Sequence, residues 1–94
     1  MIYDISQPLF ECEVYPGDSR PEKKKVCSIE NGDVCNLADI SLCVHNGTHV
    51  DAPLHFYQNG KGIDQISLNK FIGKAYVFSH IGDVTAADAA MMLA

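Results

Sequence analysis

Residues 45–56, HNGTHVDAPLHF, put three of the chain's four histidines and an aspartate into one stretch that cannot be a helix. His45 and His49 stand at i and i+4, the spacing of a helical zinc-peptidase pair. Gly47, the β-branched Thr48 and Val50, and Pro53 all oppose a helix there. That motif also needs a glutamate directly after its first histidine, where this chain has Asn46. The segment must therefore run extended or bent. In an extended chain His49 and Asp51 share a face, about 6.6–6.8 Å apart. On a straight strand His45 would lie about 13 Å from His49. Gly47 supplies the bend that brings the first imidazole back to the other two groups.

Two imidazoles and one carboxylate suit Zn²⁺, Mn²⁺ or Fe²⁺. Three protein ligands leave a coordination position open, which favours an activated water over a structural staple. Pro53 is expected to hold the chain extended and keep His55 near the cation. An imidazole there can shuttle a proton, because it changes charge close to neutral pH. A lone histidine is more often a surface or core residue, and His80, alone at the end of an apolar run, is read that way.

Around this cluster the pattern predicts a mixed architecture. IYDIS (2–6) alternates as a first strand, YPGD (15–18) is a turn, and a second strand is expected from Lys24 to Ile29. Asn31-Gly32-Asp33 signals a hairpin. LADISLCVH (37–45) alternates with period two, so a strand leads into the histidine cluster. YQNGKGID (57–64) reads as a loop, ISLNKFIG is ambiguous between the alternation of Ile66-Ser67-Leu68 and a short helical turn at Phe71 and Ile72, and KAYVFSHI (74–81) reads as a buried strand. Thr85, with Asp88 three residues on, predicts the start of a helix that runs to Ala94 without a polar or cationic end. That ending is the expectation of a front part of something longer.

Seven basic against twelve acidic residues give a net charge of −5, and the only basic run, Lys23–Lys25, has no aromatic residues interleaved. Nucleic acid is thereby disfavoured as a partner. No apolar run approaches the roughly 18 residues a membrane helix needs, and the N-terminus lacks a basic leader, so a cytoplasmic protein with no membrane partner is expected. Cys12, Cys27, Cys35 and Cys43 form no C-x₂-C pair, so free and mostly buried thiols are expected. With 94 residues, the chain forms one domain at most.

HNGTHVDAPLHF resembles the H-x-G-T-H-x-D-x-P-x-H signature of the cyclase-like metal-dependent hydrolases, a family that includes bacterial kynurenine formamidase (arylformamidase) and isatin hydrolase. YDISQPL, the YPGD turn and the strand entry ISLCVH agree with it. The resemblance covers nearly all of the chain, as the N-terminal half of a longer domain. The implied fold class is α/β (α+β): residues 1–94 as a single truncated domain, the N-terminal part of a swivelling β/β/α barrel-like cyclase fold, strand-rich with a C-terminal helix.

The resemblance also implies roles for single residues. His45, His49 and Asp51 ligate one divalent metal, Zn or Mn, and Asp51 bridges to a second ion in a complete domain. His55 is the general acid/base, and Tyr15 lies at the substrate pocket. The family's second ion takes a further His and Glu from the C-terminal half. Here no glutamate follows Glu30, and the only histidine after His55 is His80. The implied activity is hydrolysis of a small amide or lactam. A homo-oligomer, or association with a missing C-terminal segment, is the expected assembly. The alternative is a non-catalytic, truncated metal-binding or assembly fragment.

Overall fold

Pro21 has no backbone N–H to give a sheet, and the first strand begins immediately after it. In a computed structural model that describes all residues, Met1–Ala94, strand β1 spans Glu22–Cys27 and strand β2 Leu37–Ser41. They pair antiparallel, with Glu22 opposite Ser41 and Lys24 opposite Asp39. The opposite charges of Lys24 and Asp39 favour that register. The register shifts between Lys25 and Cys27, leaving Val26 as the extra residue of a bulge.

The hairpin expected at Asn31-Gly32-Asp33 is present, but its connection, residues 28–36, is longer than a two-residue turn. A 3₁₀ turn, Ile29–Asn31, ends at Gly32, whose φ of +93° only glycine adopts freely. The Asp33 carboxylate accepts the Ser28 N–H at 2.7 Å, and Asn36 Oδ1 accepts the Ile29 N–H at 2.9 Å. These side chains satisfy backbone donors that a tight turn would have paired across the strands.

The remaining regular structure is sparse. Short 3₁₀ turns occupy Leu9–Glu11, Pro53–His55, Ile63–Gln65 and Leu68–Lys70, and helix α1 spans Ala86–Met92. Thr85 caps α1 as expected: its hydroxyl accepts the Asp88 N–H, and the Asp88 carboxylate accepts the Thr85 N–H at 2.9 Å. No helix is long and apolar enough to cross a membrane.

The chain is therefore α+β, but not strand-rich. Residues 2–6 form no strand: no other strand pairs with them, and the Ser6 N–H is taken instead by the Asp4 carboxylate at 2.9 Å. Residues 74–81 have no strand to pair with and are exposed rather than buried, with Val77 97% and Ile81 99% accessible. β2 stops at Ser41 rather than reaching His45, since the β1 ladder runs out at Glu22. All four cysteines are free, but only Cys12 is buried, not most of them.

Cys12, Ser28, Asn46 and Gly47 alone are buried. The accessible surface is 9024 Å², whereas a compact monomer of this mass exposes about 5,400 Å². The radius of gyration, 18.6 Å, likewise exceeds the roughly 12 Å of a compact chain of this length. What order there is gathers around the hairpin and the histidine segment.

Candidate metal centre

Gly47 makes the expected bend, with φ at +70°. Ahead of it, the Asn46 N–H donates to the Cys43 carbonyl at 3.0 Å, so the chain turns immediately before the glycine. The N-terminal segment lies against this bend. The Gln7 N–H donates to Thr48 Oγ1 at 2.9 Å, and a Cβ at position 47 would sit 3.2 Å from Leu9 Cδ1.

The bend returns His45 to the other two groups. His45 Nδ1 lies 3.2 Å from His49 Nε2 and 3.1 Å from Asp51 Oδ1, and His49 Nε2 lies 3.5 Å from the same oxygen. These atoms are the one group of three potential metal donors that converge within 4.8 Å. Donors 2.0–2.2 Å from a tetrahedral cation sit about 3.3–3.6 Å from one another. The observed triangle is close to one face of such a polyhedron.

The protonation chemistry fits as well. His49 Nδ1 lies 2.7 Å from the Gly47 carbonyl, which can only accept, so Nδ1 carries the proton and a neutral ring turns its Nε2 lone pair into the triangle. A single proton on His45 Nδ1 could serve only one of its two neighbours. A cation serves all three atoms at once. The residues present thus fit a divalent ion held by two nitrogens and one oxygen.

His55 arrives by a different path from the one expected. Pro53 opens a 3₁₀ turn, Pro53–His55, instead of extending the chain, because its fixed φ suits the first position of a helical turn. The turn is tied down by the Leu54 N–H donating to the Lys61 carbonyl at 3.1 Å. Gly60 packs so closely that a Cβ there would lie 2.6 Å from the Pro53 carbonyl carbon. The result still places the His55 ring against His45, centroids 4.3 Å apart and tilted by 58°. The Phe56 ring also lies against His55, centroids 4.2 Å apart.

A wide-open hollow of about 380 Å³ adjoins the cluster and is lined by Val44, His45, Asp51, Leu54, His55 and Ile63 among others. It is a mixed apolar and ionisable surface of the kind small-molecule sites use. A larger hollow of about 700 Å³ lies against β1, with Lys23, Lys25 and Glu30 on its wall and none of the cluster. Chemistry rather than size locates the site.

Tyr15 is not part of this gathering. It is exposed in the Tyr15–Asp18 turn, where the Asp18 N–H donates to the Tyr15 carbonyl at 3.0 Å and Gly17 takes φ +95°. His80 is separate too, its Nε2 lying 3.0 Å from the Asp83 carbonyl and 3.7 Å from the Asp88 carboxylate. Sequence reasoning missed Asn46, Thr48 and Gly60 as parts of the scaffold. Their roles depend on contacts with residues 43, 7 and 53, and only the glycine left a visible signal.

The family model described as "Putative cyclase" matches residues 3–93. A kynurenine formamidase of Bacillus cytotoxicus is 34% identical over 86 residues, covering 90% of this chain and 39% of that relative. The chain thus spans about two-fifths of the length of the relative it matches. A family match spanning residues 3–93 places the chain in the cyclase family.

Proposed function

We propose that this chain carries the cation-binding part of a metal-dependent hydrolase that cleaves small amides or lactams, an aryl formamide such as N-formylkynurenine in the first place. The triangle of His45, His49 and Asp51, with sides of 3.1, 3.2 and 3.5 Å, is the observation that carries the reading. Membership in the family, and likeness to a kynurenine formamidase, support the choice of reaction.

His45 Nδ1, His49 Nε2 and Asp51 Oδ1 would hold one divalent ion, Zn²⁺ or Mn²⁺. When bound, such an ion polarises a carbonyl and makes water more acidic. The protein supplies the rest. The Gly47 carbonyl keeps the proton of His49 on Nδ1 and so keeps Nε2 free. His55, against His45 and open to the cavity, takes a proton from the attacking water and returns it to the leaving nitrogen. Water's oxygen bonds to the carbonyl carbon, the C–N bond breaks, and the products are an acid and an amine. Val44, Leu54 and Ile63 offer apolar surface to the organic part of the substrate. Tyr15 reaches the substrate only when further polypeptide completes the pocket around its turn. The complete assembly is a barrel-like cyclase domain, to which another chain or segment adds the remaining wall and the ligands of any second ion.

A second reading is a cation-binding fragment without turnover. The excess accessible surface favours it. An aryl-formamidase assay on the Zn²⁺- or Mn²⁺-loaded chain separates the two. Turnover that disappears with a chelator and in His55→Ala supports the hydrolase. Full cation occupancy without turnover leaves the fragment reading in its place.

A further inference from the structure

We infer that Asn46 is a positioning residue for the cation site, locking the turn that aims the His45 ring. The inference rests on the reading of His45, His49 and Asp51 as cation ligands, and concerns a residue that supplies no ligand atom itself.

Asn46 is 4% exposed, in a chain where most large apolar side chains face solvent. Burying a carboxamide is unfavourable unless its polar atoms are paired. The oxygen is paired: Oδ1 accepts the Cys43 N–H at 2.9 Å. The backbone of Asn46 makes the reciprocal bond, its N–H donating to the Cys43 carbonyl at 3.0 Å. Cys43 and Asn46 are therefore tied together twice, and the residues between them are Val44 and His45. The backbone of His45 has little freedom left, so the direction in which its ring leaves the chain follows from this clamp. A ligand displaced by 1 Å would spoil a triangle whose shortest side is 3.1 Å.

The amide nitrogen makes a different point. Asn46 Nδ2 is buried without a hydrogen-bond partner. The side chain is not kept in place by full satisfaction of its own groups, so the oxygen's grip on Cys43 is what the position uses. Aspartate could offer the same acceptor but would add a second negative charge beside the site. With neutral imidazoles and one carboxylate, a divalent ion keeps a net positive charge, which Lewis-acid chemistry needs. Asparagine supplies the clamp and leaves that charge intact.

The test uses Co²⁺ as the probe on the 94-residue chain and its Asn46→Ala and Asn46→Asp variants. Three quantities are read: the Co²⁺ dissociation constant, the visible Co²⁺ spectrum, and hydrogen exchange at the Cys43 amide in cation-free protein. Asn46→Ala is expected to weaken Co²⁺ binding about 10- to 100-fold, as loss of a group that orients a ligand does. Its Co²⁺ bands should shift and its Cys43 amide should exchange faster. Asn46→Asp should restore both the slow amide and an affinity at or above that of the wild type. If Asn46→Ala binds Co²⁺ with wild-type affinity and spectrum, or leaves the Cys43 amide equally protected, the inference is overturned while the ligand reading stands. A wild-type chain that takes up no Co²⁺ overturns the ligand reading and this inference with it.

Discussion

Gly47 shows at the scale of one residue how the backbone makes the chemistry. At φ +70°, with Leu9 Cδ1 only 3.2 Å from where a Cβ would sit, it can be replaced only at a cost in backbone strain and in contact. Gly47→Ala is expected to destabilise the bend by about 1–2 kcal/mol. It should lower Zn²⁺ affinity at least tenfold in a calorimetric titration; unchanged affinity would mean that the bend does not gather the ligands. Asp51→Asn tests charge with shape preserved. The amide keeps an oxygen within reach of both imidazoles but removes the one formal negative charge, so retention of Zn²⁺ through gel filtration should fall sharply. The glycine and its bend were legible in the sequence because a left-handed residue between two histidines lets the chain turn one ring back toward the other. Asn46 was not legible, since its hydrogen bonds to Cys43 exist only once the turn has formed.

Among the elements, α1 was the most readable, because its cap is local. Thr85 and Asp88 exchange hydrogen bonds within one turn, so the pattern three residues apart suffices to locate the start. The Thr85 hydroxyl, and then its N–H, hold the Asp88 carboxyl below the ordinary value of 3.8. A carboxyl with a lowered folded pKa stabilises above its unfolded value, and that contribution is lost as pH falls through the folded one. Helicity at residues 86–92 should therefore be steady above about pH 4 and fray below it, as followed by backbone chemical shifts. In Thr85→Ala the fraying should begin already at neutral pH. The Pro53–His55 turn was misread for the opposite reason. Its conformation depends on the 57–62 loop folding back, through the Leu54 N–H to the Lys61 carbonyl and the close approach of Gly60. Gly60→Ala, placing a methyl 2.6 Å from backbone, should displace His55 and reduce any formamidase turnover while leaving Zn²⁺ affinity nearly unchanged. Equal losses of both would show that the loop supports the whole cluster rather than His55. The unpaired segments read as strands for different reasons, residues 2–6 by alternation and 74–81 as an apolar run, but a strand needs a neighbour, and this chain offers them none.

For the molecule as a whole, surface is the governing quantity. The chain exposes about two-thirds more area than a compact monomer of its mass. That excess lies in the range that obligate interfaces bury, roughly 2,000–5,000 Å². Val34, Val77 and Ile81 stand almost fully accessible, and no arrangement of so few elements could cover them. The isolated chain is accordingly expected to bind an apolar dye strongly, or to associate in sedimentation; a monomer that does neither would show a core the structure lacks. The cation cluster, by contrast, is built from one continuous segment and should form without a completed core. X-ray absorption of the Zn²⁺-loaded chain tests that claim most directly. The expected result is one Zn²⁺ per chain, with two imidazole nitrogens and at least one oxygen as nearest neighbours, lost in His49→Ala. A chain that retains no Zn²⁺, or one whose Zn²⁺ is surrounded by cysteine sulfur, would contradict it.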